Sequence, residues 1–262
     1  MNNKLEAVQR IAGNFSRTIG RQSWKLCFLR LFTIALVAVM LAGCGGKSSA
    51  QSTGSGRSSV KENPATDFQY DLTESGDGIA IRKYIGKNGE KIVIPAKIEG
   101  YPVMEVLGVS FFSAPITSVV IPDTVTRIGG SAFQECKALK EITLPKSLKI
   151  IESHAFMNSG LTSIVIPEGV TEIQTETFLG CANLTSVTLP ESLERIYMDA
   201  FKNCASLTDI KMPSRQITYG IFISLNQKFL EEPYISVFDG CPKLSLAARK
   251  AITDSGYKAS FF

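Results

Sequence analysis

From residue 116 to residue 213 the apolar positions of the chain return every 22 or 23 residues. The marker of the period is an apolar residue followed by proline. It occurs at Ile94-Pro95, Ile121-Pro122, Leu144-Pro145, Ile166-Pro167, Leu189-Pro190 and Met212-Pro213, and the prolines are 27, 23, 22, 23 and 23 residues apart. Within one unit, LTSIVIP predicts a short strand with Leu161, Ile164 and Ile166 facing inward and Ser163 and Val165 facing outward, because strand side chains alternate. Pro167 has no N–H and ends the ladder. Val170 and Ile173 predict a second, shorter extended segment, and Phe178 fills the corner with Cys181 three residues later. The same corner slots hold Phe133, Phe156, Phe201 and Phe238, followed by Cys136, Ser159, Cys204 and Cys241. No single unit can bury these side chains. Stacking the units about 4.8 Å apart buries them all. A sandwich of sheets and helices is excluded, since the units leave no room for helices of about 10–12 residues. Leu246 to Ser255 has helix-forming character with Gly256 as its stop, and is expected to cover the last rung.

The recurring elements L-x-x-I-x-I-P, V-x-x-I-G and A-F-x-x-C resemble the leucine-rich repeats of BspA-like, Treponema-type bacterial surface proteins. The resemblance spans about residues 67–262, including an opening unit at Gly76–Val103 and a closing one at Phe238–Tyr257. It implies a mainly β, or α/β, solenoid: a right-handed leucine-rich-repeat coil with a parallel strand ladder and a short C-terminal capping helix. It also implies a non-catalytic role in recognition or adhesion, with a host matrix protein, a bacterial surface protein or a glycan as partner. A periplasm-facing envelope scaffold and a carbohydrate-binding accessory lipoprotein are the alternatives.

The first 43 residues have a different character. Leu31–Gly43 is an apolar run of 13 residues behind Lys25 and Arg30, whereas a membrane-spanning helix needs about 20. A basic stretch, an apolar run and small residues together make a secretory signal, although its basic region of about 30 residues is long. Leu41-Ala42-Gly43-Cys44 looks like a bacterial lipobox. That resemblance implies cleavage before Cys44 and a diacylglycerol on its thiol, the only attached group expected, with export to the cell envelope; exposure at the surface is what the repeats imply. The competing reading is a buried cysteine after a short core helix. Residues 45–66 hold six Ser and four Gly and read as a flexible linker with a reach of about 25 Å. The expected organisation is a signal at 1–43, the lipidated cysteine and linker at 44–66, and an N-terminal capping repeat at 67–115. Repeats at 116–213 follow, then an insertion, a last repeat and a cap at 214–262.

Charge narrows the function. The chain has 28 Lys and Arg against 24 Asp and Glu, but residues 1–43 hold six of the bases and one of the acids. The remainder carries 22 bases and 23 acids, which does not support a basic nucleic-acid surface. His154 is the single histidine, so a histidine cluster for a metal is impossible. Its slot holds Ser131, Thr175 or Glu176, and Asp199 in other units, which reads as a variable, exposed turn. No G-x-S-x-G, phosphate-binding or dinucleotide motif occurs, and no enzyme is expected. The corner cysteines occupy one repeat position and read as buried, unpaired thiols, not a disulfide framework. Glu172 and Arg195 fall in equivalent slots of adjacent units and are expected to form a surface ion pair.

Two surfaces are candidates for recognition. The outward strand slots hold Ser118, Glu141, Ser163, Ser186 and Asp209 in one column and Val120, Thr143, Val165, Thr188 and Lys211 in the other. These make a flat surface of low charge, of the kind solenoids use for binding, although strand propensity alone would also place such residues there. The second candidate is Ser214–Ile235, which interrupts the sixth unit and carries Tyr219, Phe222, Phe229 and Tyr234. Aromatics on a loop beside a rigid scaffold are binding anchors. The competing reading is a degenerate repeat whose aromatics pack over the end of the coil. The insertion is slightly favoured as the site.

Overall fold

Each unit contributes two short strands and a turn, and the units stack into a solenoid of parallel strands. The computed structural model describes residues 61–86, 90–223, 228–231 and 236–258. The first strand of each unit lies at β3 (Lys91–Val93), β6 (Ser118–Val120), β8 (Glu141–Thr143), β10 (Ser163–Val165), β12 (Ser186–Thr188) and β14 (Asp209–Lys211). The second lies at β5 (Tyr101–Val106), β7 (Arg127–Ile128), β9 (Ile150–Ile151), β11 (Glu172–Ile173), β13 (Arg195–Tyr197) and β15 (Thr218–Ile223). Equivalent residues pair in parallel along each ladder, as in Ser163↔Ser186↔Asp209 and Glu172↔Arg195↔Thr218.

The expected inward set is buried. Leu161, Ile164, Ile166, Val170, Ile173, Phe178 and Cys181 all belong to one core. The corner phenylalanines form its spine. Phe111, Phe133, Phe156, Phe178, Phe201 and Phe238 stack with centroids 4.9–5.5 Å apart and planes within 15° of parallel. The rung spacing imposes this arrangement: each Phe N–H bonds to the carbonyl just before the next Phe, as in Phe133 to Ala155 and Phe156 to Thr177. Two left-handed residues shape each corner. The first slot holds Val109, Ser131, His154, Glu176 and Asp199; the second holds Ser113, Glu135, Asn158, Gly180, Asn203 and Gly240. Glu176, not Thr175, is therefore the counterpart of His154.

Spacing irregularities in the sequence have local causes. The 27-residue gap between Pro95 and Pro122 accommodates β4 (Lys97–Ile98), which turns back onto β5. Both turn residues, Glu99 and Gly100, have positive φ, as a tight hairpin of this kind requires. The 22-residue unit loses a residue after Ser159. There a Cβ on Gly160 would overlap the Lys137 carbonyl, so only glycine fits the shortened turn. At this level both ladders are interrupted: β8 does not pair with β10, nor β9 with β11. Ile142 is correspondingly only half-buried, unlike its counterparts Val119, Ile164, Val187 and Ile210. The Phe-bearing turns and the bonds from Thr162 to the Lys140 carbonyl carry the hydrogen bonding across the gap.

Both ends are closed. At the N-terminal end β1 (Phe68–Leu72) pairs antiparallel with β2 (Ile79–Tyr84), and β2 joins β5 in parallel. Tyr84 extends the aromatic column, and Phe68 packs tilted on Tyr84. At the C-terminal end α1 (Leu246–Asp254) begins at Ser245, whose hydroxyl accepts the Ala248 N–H at 3.1 Å. The helix buries Ala248 and Ile252, and Gly256 follows it with φ 108°. Tyr257 meets Phe238 edge-on at 5.3 Å and finishes the column. The expected capping helix is thus present, with the expected glycine after it.

Candidate recognition surface

The outward side chains of β6, β8, β10, β12 and β14 fall in two paired runs, β6–β8 and β10–β12–β14. Val165 is the most open of them at 65% exposure, with Val120 at 37%. Glu141, Thr143, Ser163, Asp209 and Lys211 are exposed, and Ser118, Ser186 and Thr188 are half-buried. Within each run parallel pairing puts like slots beside each other, Ser118 by Glu141 and Val120 by Thr143 in the first, Ser163 by Ser186 by Asp209 and Val165 by Thr188 by Lys211 in the second. A threonine ladder borders the face. Thr162 donates to the Lys140 carbonyl at 3.2 Å, Thr185 to the Thr162 carbonyl at 2.9 Å, and Thr208 to the Thr185 carbonyl at 3.0 Å. Sequence reasoning missed this ladder, though the recurring Leu-Thr at unit starts was its signal.

The second-strand face is charged. Arg127 bridges Glu105 at 3.2 Å and Glu152 at 2.5 Å, and these bonds, led by the one to Glu152, hold its pKa above the ordinary arginine value. The expected pair of Glu172 and Arg195 forms at 2.7 Å, and Tyr197 donates its hydroxyl to the same carboxylate at 3.3 Å. His154 is part-exposed with Nε2 3.3 Å from Glu176 Oε2, so the turn position is as expected.

The corner thiols have a defined structural task. Cys136, Cys181, Cys204 and Cys241 are free and buried. Each donates to the carbonyl of the Phe one rung earlier, namely Phe111, Phe156, Phe178 and Phe201, at 2.9–3.3 Å. Burial raises the Cys136 thiol to about 12 and the Cys181 thiol to about 11. Raised in this way, the Cys136 and Cys181 thiols stay protonated near neutral pH, whereas the hydrogen bond from Cys204 lowers the Cys241 thiol. Among the described residues no group of three or more His, Cys, Asp or Glu converges on a metal position.

The Ser214–Ile235 segment is more regular than its sequence suggests. It begins as the second strand of the sixth unit: β15 pairs in register with β13, then turns back as β16 (Lys228–Glu231). Tyr219 occupies the inward slot of Ile196. It is 7% exposed, its ring lies 5.0 Å from Tyr257, and its hydroxyl is 2.6 Å from Ser255 Oγ. The expectation of Tyr219 as an exposed anchor is therefore corrected: its ring caps the core. Phe222 and Phe229 are directly paired positions of the hairpin backbone. Tyr234 and Cys44, like the 1–43 signal, lie outside the described residues. No helix among the described residues is long and apolar enough to cross a membrane.

Stacked parallel rungs with this strand, proline and Phe-corner grammar define a leucine-rich-repeat solenoid. Six copies of the BspA type leucine rich repeat region match residues 108–228. A T. pallidum leucine-rich-repeat protein of known structure is similar at 31% identity and a TM-score of 0.58, over 77% of this chain and 99% of that one. The chain belongs to the BspA-type leucine-rich-repeat family. A leucine-rich cell surface protein from Faecalibacterium prausnitzii is 26% identical over 71% of this chain and 69% of its own, with a TM-score of 0.41. The pneumococcal vaccine antigen PcpA is 21% identical over 68% of this chain and 54% of its own, with a TM-score of 0.45. No curated protein matches the sequence.

Proposed function

We propose that this protein is an exported, lipid-anchored recognition module that adheres to a protein or glycan partner at the bacterial surface, without catalysis. The observation that carries the reading is the low-charge strand face, paired in register across β6–β8 and across β10–β12–β14. Val120, Thr143, Val165 and Thr188 line up across it on a scaffold whose core is complete without them. Rigid presentation suits recognition, because the bound geometry is already built and little ordering is lost on contact. The burial of Tyr219 removes one of the four aromatics that favoured the hairpin and moves the weight to the strand face. Membership of the repeat family supports a binding role.

The test changes Val120, Thr143, Val165 and Thr188 to Lys together, after a thermal melt has established that the variant folds. Arrays of matrix proteins and of glycans then compare it with the parent. Loss of the parent's binding supports the strand face; unchanged binding excludes it. Protease treatment of intact cells separates adhesion from a periplasm-facing scaffold, which would be spared. Cys44→Ala tests the anchor: the variant is expected to lose fatty-acid labelling and membrane retention, and unchanged labelling would refute the lipoprotein reading.

A further inference from the structure

The turn of the first rung departs from the repeat's own pattern at one slot and exposes an aromatic at a second. In the first left-handed slot the later units place Ser131, His154, Glu176 and Asp199, all polar. The first unit places Val109 there, at φ 56° and 58% exposed. A β-branched residue is among the least suited to that backbone region, and exposure gives it no compensating burial. Three residues on, the slot of Gln134, Met157, Leu179 and Lys202 holds Phe112, 48% exposed, whereas the apolar Met157 and Leu179 are half-buried. Both side chains line a shallow groove of about 700 Å³ with Arg82, Lys83, Ala114 and Pro115. Tyr84 N–H bonds to the Ser110 carbonyl at 2.8 Å, and Ile85, the next residue, is also exposed. Three of the eight exposed large apolar residues among those described thus belong to this one end of the coil.

The same rung receives the chain from the linker. Val93 of β3 accepts the Asn63 N–H at its carbonyl and donates its own N–H to Asn63 Oδ1. Only residues 45–60 separate Cys44 from the first described residue, a reach of about 22 Å for a Ser/Gly-rich stretch of that length. A surface held so close to its target binds at an effective concentration of about millimolar, so a small patch suffices. Charge contributes little: Arg82 is paired with Asp71 at 2.9 Å, and Glu90 also lines the groove. We propose that Val109, Phe112 and Ile85 form a bilayer-contact site that seats the first rung of the solenoid on the membrane surface through apolar insertion at the headgroup boundary. The proposal rests on the reading of Cys44 as the lipid anchor. It leaves the strand face for a partner.

The only tryptophan, Trp24, lies in the signal, so the chain beginning at Cys44 is free of tryptophan. Phe112→Trp and, separately, Ile85→Trp place a reporter in the patch, and Val165→Trp places one on the strand face. Circular dichroism and a melt verify folding of each. The lipidated chain is inserted into phosphatidylethanolamine–phosphatidylglycerol vesicles containing brominated lipid. Mass spectrometry reads the lipid on Cys44. An unmodified Cys44 refutes the anchor reading, and its thiol is then coupled to a maleimide phospholipid so that the patch is still tested. In the tethered chain the patch reporters are expected to lose about half their emission and the strand-face reporter under about a tenth, without salt dependence. Equal quenching at both locations, no quenching in the patch, or quenching abolished by salt overturns the proposal.

Discussion

Arg195 Nη1 lies 2.7 Å from Glu172 Oε1, and the two residues are direct partners in the β11–β13 register. They are one repeat apart in sequence and one rung apart in space. Both side chains are about a third exposed, so water screens the pair and its worth is about 0.2–1 kcal/mol. A double-mutant cycle with Glu172→Ala and Arg195→Ala is expected to give a coupling of that size in denaturant melts, shrinking in high salt. A coupling above about 2 kcal/mol would mean that Tyr197, which shares the carboxylate, closes the pair off from solvent.

Phe178 sits fully buried between Phe156 and Phe201 in the aromatic column. Phe178→Ala is expected to destabilise the solenoid by about 3–5 kcal/mol, through lost burial and the cavity left behind. Ser163→Ala, on the outward face of β10, is expected to change stability by under about 0.5 kcal/mol. Denaturant melts of the two variants check the contrast, and equal effects would contradict the register.

The Cys136 and Cys181 thiols, both raised by burial, give the fold a pH dependence on the alkaline side. Burial raises Cys181 from an ordinary 9.0 to about 11, so between those values the unfolded thiol ionises and the folded one does not. The unfolded state then binds fewer protons, and stability falls as pH rises. The contribution is complete below pH 9 and lost through pH 11, at about 1.4 kcal/mol per pH unit for each such thiol. Cys181→Ser is expected to flatten part of this fall while keeping a donor to the Phe156 carbonyl. Melting temperatures from pH 8 to 11 measure it. An identical slope in parent and variant would show that Cys181 is not responsible.

How far the sequence could be read depended on whether a slot repeats in residue type. Leu161, Ile164, Ile166, Val170 and Ile173 recur as apolar residues, so their burial follows from the period alone. The Glu172–Arg195 pair was legible from the register instead, since the period puts two opposite charges in one slot of adjacent units. The left-handed corner slots were not, because Val109, Ser131, His154, Glu176 and Asp199 share no chemistry; the backbone geometry recurs without a residue signature. The thiol position was legible as buried, but spacing does not reveal which carbonyl an S–H meets. The hairpin was obscured by Gln216. It stands where Leu193 would recur, and its side chain bonds instead to the Asp254 carbonyl beside the capping helix. Counting 23 residues from Ile196 nonetheless lands on Tyr219, the inward residue of the next rung.

That placement decides how the hairpin can be tested as a binding surface. Tyr219 packs on Tyr257 and shares a 2.6 Å hydrogen bond with Ser255, whose hydroxyl also bonds to the Ile252 carbonyl at 2.7 Å. Tyr219→Ser removes a buried ring and is expected to cost about 3–5 kcal/mol. It would release the capping helix from the last rung, so binding lost in such a variant would report the fold rather than a contact. Tyr219→Phe keeps the ring and removes one hydroxyl, with an expected cost of about 1 kcal/mol. Hydrogen exchange should resolve the two: the Ser variant loses protection across Leu246–Asp254 and the Phe variant retains most of it. If the Ser variant keeps full protection there, the ring is not what holds the cap. A test of the hairpin as a ligand site therefore changes Phe222 and Phe229 and leaves Tyr219 in place.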